Sequence, residues 1–182
     1  VLFRSKMELL NDFVFRTSLK KELEERQKEM IEQALKSRKR DFSFQVKINH
    51  DYSKLYVLFL KKLTTIFKKF TPLSNNHRCY ACVIDEKLYD NIYHDHIGKS
   101  TISGCFYLEL PESSGGISFL KDKKEIIIKP NQFDILIFPS NILHKPLKPK
   151  FGERRISVNV ELSCEETTEQ IFDKTNYKEQ YV

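Results

Sequence analysis

Thr101-Ile102-Ser103-Gly104-Cys105-Phe106-Tyr107-Leu108-Glu109-Leu110, followed by Gly116-Ile117-Ser118-Phe119-Leu120, Glu125-Ile126-Ile127-Ile128-Lys129 and Phe133-Asp134-Ile135-Leu136-Ile137-Phe138, decides the fold class. Each run is short, rich in β-branched and aromatic residues, and bounded by turn formers: Pro111 to Gly116, Lys121 to Lys124, and Pro130-Asn131. Residues 78 to 85, 91 to 96 and 154 to 162 have the same character. Strands at this spacing, with no helical pattern between them, predict an antiparallel sandwich or barrel.

Upstream the periodicity changes. From Ser18 to about Lys36, Leu19, Leu23, Met30, Ile31, Ala34 and Leu35 fall mostly at helical spacing, and Ser18 reads as the N-cap. A second helix is predicted from about Tyr52 to Phe70, with Leu55, Tyr56, Phe59, Leu63, Ile66 and Phe67 on one face and Pro72 as its stop. Neither carries an inward-facing His or paired carboxylates, so both read as braces for a sheet. Helices first and strands later make an α+β chain. The expected organisation is one domain over residues 1–182: helical support over 1–77, a β core over 78–162, and an acidic tail over 163–182. Residues 1–6 precede Met7 and read as the edge of a cloned fragment.

At 182 residues, 40% apolar and 12% aromatic, the chain has the composition of a packed globule, which excludes whole-chain disorder. No run approaches the roughly 20 apolar residues of a membrane helix, and the N-terminus has no signal-peptide pattern. The expectation is a cytoplasmic protein without a membrane partner. The net charge of +6 is uneven: residues up to 70 hold 17 Lys/Arg against 9 Asp/Glu, and the remainder 14 against 16. The basic excess, densest at Lys36, Arg38, Lys39 and Arg40, reads as a solvated helix surface, because Lys and Glu are interleaved there. Nucleic acid is the lesser alternative. Cys79-x-x-Cys82 has no second CxxC with which to complete a zinc site. It lies in a predicted strand, so Cys79, Cys82, Cys105 and Cys164 read as structural thiols.

Chemistry concentrates in His94-Asp95-His96, His144 and Arg155-Ile156-Ser157. Residues i and i+2 of a strand share a face, so His94 and His96 can reach one metal ion, with His144 as a third ligand. Arg155 and Ser157 share a face by the same rule, and a guanidinium fork beside a hydroxyl is a receptor for the far carboxylate of a dicarboxylic acid. Tyr107 can add a hydrogen bond there or serve as a core aromatic. His50 and His77 read as ordinary surface or core residues.

The ordered set His94-x-His96, Ser103 to Leu108 with Pro111, Gly115 to Phe119, Pro130 with Phe133 to Ser140, His144, and Arg155 to Asn159 resembles the 2-oxoglutarate/Fe(II)-dependent oxygenases related to prolyl hydroxylases. The resemblance covers about residues 78 to 162. It implies a double-stranded β-helix of the jelly-roll or cupin kind braced by N-terminal helices. Its cofactors would be Fe(II) and 2-oxoglutarate, the latter with its distal carboxylate on Arg155 and its decarboxylation to succinate and CO2 coupled to oxidation of a substrate C–H bond. Expected partners are O2 and a small-molecule or peptide substrate. One departure stands out, since His96 occupies the usual carboxylate position. Three neutral imidazoles, an inward swing of Asp95, and a register in which His96-x-Gly98 leaves a coordination position open all remain possible. Two rival readings are a three-His cupin-like dioxygenase or isomerase that does not use 2-oxoglutarate, and a nucleic-acid-binding module.

Overall fold

The computed structural model describes residues 8–10, 13–41, 45–47, 53–87, 89, 91–112 and 115–179. Two antiparallel sheets face one another. The long sheet has the order β1 (Glu8–Leu10), β2 (Val14–Ser18), β8 (Asp134–Pro139), β5 (Ile102–Glu109), β10 (Arg154–Cys164), β4 (Pro72–Asp85), β3 (Gln45–Lys47). The short sheet has the order β7 (Lys124–Ile128), β6 (Ile117–Lys121), β9 (Leu143–Pro146). This is the double-stranded β-helix.

The helices cover the outer face of the long sheet. Between Lys20 and Asp41 the helical stretch is interrupted: α1 (Lys20–Leu23), a 3-10 turn at Glu24–Arg26, then α2 (Gln27–Asp41). Ser18 is not an N-cap. It ends β2, a strand that the helical reading of this stretch misses, and Leu19 takes the cap position without a side-chain bond. The helix α3 (Ser53–Ile66) is shorter than predicted, and Pro72 opens a strand rather than stopping the helix. Leu19, Leu23, Met30 and Ala34, with Leu55, Phe59, Leu63 and Ile66, are buried against Val83, Phe106, Val158, Val160 and Leu162 of the sheet. Gly104 of β5 lets α3 approach: a Cβ there would lie 2.5 Å from the Phe59 ring.

A second, smaller core fills the space between the sheets, with Phe13, Tyr107, Ile117, Phe119, Leu136 and Phe138 among its members. Strand boundaries follow backbone geometry that hydropathy does not report. Phe133 has φ 69°, so β8 begins one residue later than the apolar run. Asp122 and Lys123 are both left-handed, the signature of a type I′ hairpin between β6 and β7. The 91–96 run is no strand; it is held by one bridge, His94 to His144. The tail folds back: Thr167 caps α4 (Thr168–Ile171) with a complete capping box, and Tyr177 packs edge-on against Phe15 at 5.0 Å between ring centroids. His50 and the side chains of Arg38, Lys39 and Arg40 lie outside the described residues, while His77 stacks on Tyr56 at 3.8 Å between ring centroids.

Candidate metal and anion site

Strand β10 builds the site through its alternation. Ile156, Val158, Val160 and Leu162 point to the helix side, so Arg155, Ser157, Asn159 and Glu161 point into the space between the sheets. Pairing extends this polar row sideways: Ser157, Asn159 and Glu161 stand beside Cys82, Tyr80 and Arg78 of β4, and beside Tyr107, Cys105 and Ser103 of β5. Arg155, Ser157, Asn159 and Glu161 line a cavity of about 130 Å³ with His94, His96 and His144 at one end and Ile84, Ile117, Phe138 and Pro146 among the apolar lining.

Backbone bonds bring the three imidazoles together. His94 and His144 exchange N–H···O bonds of 3.0 and 2.9 Å, and the His96 N–H donates to the Ser140 carbonyl at 2.8 Å. The ring nitrogens of His94, His96 and His144 then lie within 4.8 Å of one another. The Asp95 carboxylate instead accepts the Ile97 N–H at 3.1 Å and is outside this group, which leaves three imidazoles as its donor set.

Tautomers follow from the acceptors behind each ring. His94 Nδ1 faces the Ile92 carbonyl at 3.2 Å, His144 Nδ1 faces the Ile142 carbonyl at 2.9 Å, and His96 Nδ1 faces Glu161 Oε1 at 2.6 Å. A carbonyl or carboxylate can only accept, so each Nδ1 carries the proton, and in the neutral form of each ring Nε2 presents a lone pair inward. His96 and His144 thereby set two Nε2 atoms 3.3 Å apart. Facing lone pairs at that distance repel unless a cation lies between them. Donors about 2.1 Å from one metal at roughly right angles or wider are separated by about 3.0–3.4 Å, so the geometry accommodates a metal ion. Burial, with the neighbouring imidazoles, pushes His144 down to about 3, against the upward pull of its Ile142 bond, and keeps the ring neutral.

Arg155 is 3% exposed. It donates through Nη1 to the Gly116 carbonyl at 2.8 Å and lies over the Tyr107 ring at 5.1 Å, while its Nε and the Tyr107 hydroxyl have no hydrogen-bond partner. Gly116 has φ 126°, and a Cβ there would lie 2.6 Å from the Ile128 carbonyl, so glycine alone presents its oxygen in this way. A buried guanidinium with an orphaned donor is suited to an anion. Cys79 and Cys82 fall on opposite faces of β4, as spacing of three in a strand requires. Burial pushes both thiols up to about 12, so the cavity-lining Cys82 stays protonated.

Glu161 is the residue that the motif reading passed over. It is 2% exposed, accepts from His96 Nδ1, from Tyr80 OH at 2.7 Å and from Arg78 Nη2, and is held down at about 2 because these bonds outweigh the upward push of burial. The same alternation that pairs Arg155 with Ser157 reaches Asn159 and Glu161 two and four residues on, and that was the available signal.

No family model and no curated protein matches the sequence. Solved structures do resemble its fold. A prolyl 4-hydroxylase from Phytophthora capsici superposes with a TM-score of 0.63 at 15% identity, over 88% of this chain and 61% of that one. HygX from Streptomyces hygroscopicus, solved with nickel and 2-oxoglutarate bound, gives 0.60 at 10% identity, over 92% and 90%. The viral collagen prolyl hydroxylase of Paramecium Bursaria Chlorella virus-1 gives 0.54 at 16% identity, over 82% and 88%. The chain thus has the double-stranded β-helix fold found among prolyl hydroxylases and other 2-oxoglutarate-dependent oxygenases, and it spans about three fifths of the Phytophthora enzyme.

Proposed function

We propose that the chain is an Fe(II)- and 2-oxoglutarate-dependent oxygenase, a hydroxylase acting on a C–H bond of a small-molecule or peptide substrate in the cytoplasm. The supporting observation is the convergence of three Nε2 lone pairs beside a buried guanidinium with an unpaired Nε, inside one cavity. His94, His96 and His144 would hold the iron. Arg155 and Ser157 would take the distal carboxylate of 2-oxoglutarate, and Tyr107 would donate to the same molecule. When bound, the metal and co-substrate supply the oxygen chemistry, with succinate, CO2 and oxidised substrate as products.

The chain's part is placement. Tyr107 supports the guanidinium plane and Gly116 fixes its rotation, and burial makes an ion pair formed at Arg155 worth far more than one on the surface. Arg154, the neighbour that points the other way, is tied by a two-pronged bond to Glu109 at 2.7 and 2.8 Å and stays outside this role. Of the described lysines near the helices, Lys62 of α3 approaches Glu22, and just beyond that helix Lys69 approaches Glu166 and Lys68 donates to the Thr175 carbonyl.

Adding Fe(II) and 2-oxoglutarate without oxygen is expected to produce a weak visible charge-transfer band that Arg155→Ala abolishes. No band from a metal-replete sample overturns the reading. Three neutral imidazoles also suit a dioxygenase that binds its substrate directly to the metal. Turnover without succinate would favour that alternative.

A further inference from the structure

The three candidate ligands are not held alike. His94 and His144 each donate Nδ1–H to the carbonyl two residues back in the chain, a neutral and local arrangement. His96 alone is backed by a carboxylate, delivered from β10 sixty-five positions downstream. Glu161 is the one acidic residue lining the cavity among the described residues, and nearly all of its surface is covered. Its third partner, Arg78, has a half-exposed side chain, so water and salt screen that positive charge while the carboxylate's field acts on the cavity.

We infer that Glu161 is the positioning and charge-compensating residue of the metal centre: it fixes His96 as an Nε2 donor and supplies, through that imidazole, the negative charge that the three-His ligand set lacks. The inference rests on the metal reading above and deepens it. A carboxylate accepting a short bond from Nδ1–H makes the opposite nitrogen a stronger donor and stops the ring from rotating. It also gives a dication and Arg155, together in one low-dielectric cavity, a buried counter-charge. Tyr80 and Arg78 hold the carboxylate in place, so its aim does not depend on metal being present. The position next to Asp95 thus keeps an acidic partner, moved outward by one ring.

The experiment is a Co(II) titration of the metal-free protein, read by visible absorption, with proton NMR of the Zn(II)-loaded form to follow the His96 Nδ1–H. Glu161→Gln preserves shape and removes charge. It is expected to weaken Co(II) binding by about 10- to 100-fold and to shift upfield a strongly hydrogen-bonded imidazole N–H resonance, one that His96→Gln removes. A purely structural glutamate would leave that resonance and the Co(II) spectrum of folded protein unchanged. Should Glu161→Gln fail to fold, Tyr80→Phe replaces it, expected to loosen the aim of the carboxylate, lower Co(II) affinity severalfold and displace the resonance. Unaltered affinity and resonance in the variants, with Co(II) still bound by the parent, overturn the inference and leave the metal site standing. Absence of any Co(II) binding by the parent removes both.

Discussion

The two faces of the long sheet come from the same strands and answer to different demands. On the helix side, β10 presents Ile156, Val158, Val160 and Leu162 to α2 and α3 in a packed apolar core. On the cavity side, one residue out of phase, it presents Arg155, Ser157, Asn159 and Glu161. The first face holds the molecule together through burial, which tolerates exchange among residues of like volume. The second holds buried charge and orphaned donors, which stabilise only when each partner is in place. Damage to the first should therefore register as lost stability, and damage to the second as lost ligand binding.

The largest separation of the two faces is expected from His144→Ala. Removing a ligand should weaken metal binding by more than the 10- to 100-fold typical of an outer partner, as calorimetry with Co(II) would measure. The fold of the metal-free protein should persist in circular dichroism, since the helix-side core is untouched. A variant that binds Co(II) as tightly as its parent breaks the comparison. The converse change, Phe59→Ala, removes a fully buried ring that sits over Gly104. It should cost about 3–5 kcal/mol of stability by denaturant unfolding, with Co(II) affinity of the remaining folded protein altered less than threefold.

Acid should sharpen the contrast, with a smaller effect. In metal-free protein His144 is depressed from 6.5 to about 3, and Glu161 from 4.5 to about 2. Both bind protons more readily when unfolded. The stability that His144 contributes is present above about pH 6.5 and fades toward pH 3; that from Glu161 is present above about 4.5 and fades toward 2. The melting temperature in chelator should fall between pH 7 and pH 5, and His144→Gln should flatten that decline. An unchanged slope would mean that the imidazole is not buried neutral.

Short runs rich in β-branched and aromatic residues between turn formers made β4, β5, β6, β7, β8 and β10 legible, and β5 and β8, buried along nearly their whole length, carry no alternation. Period-two alternation holds in β10, where polar and apolar residues take turns from Arg155 to Leu162. It found Arg155 and Ser157 there. It gave His94 and His96 a common face by treating 91–96 as a strand, whereas their meeting depends on the single bridge to His144 and the Ser140 carbonyl. Short elements escaped: β9 is four residues long, β2 hides before a helix-like pattern, and neither sustains a period. Phe133 and the interrupted helix show backbone conformation overriding hydropathy. Glu161 was visible in the alternation, but its role was not, since nothing in sequence says which ring lies behind which carboxylate.

Arg155 stands in the long sheet, and the oxygen that fixes it belongs to Gly116, the residue leading into the short one. An anion drawn to this guanidinium would therefore draw on a stitch between the two halves of the barrel. Filling the cavity and tightening this seam are thereby linked, and amide exchange should slow along β6 beyond Ile117 at the cavity wall when an anion settles.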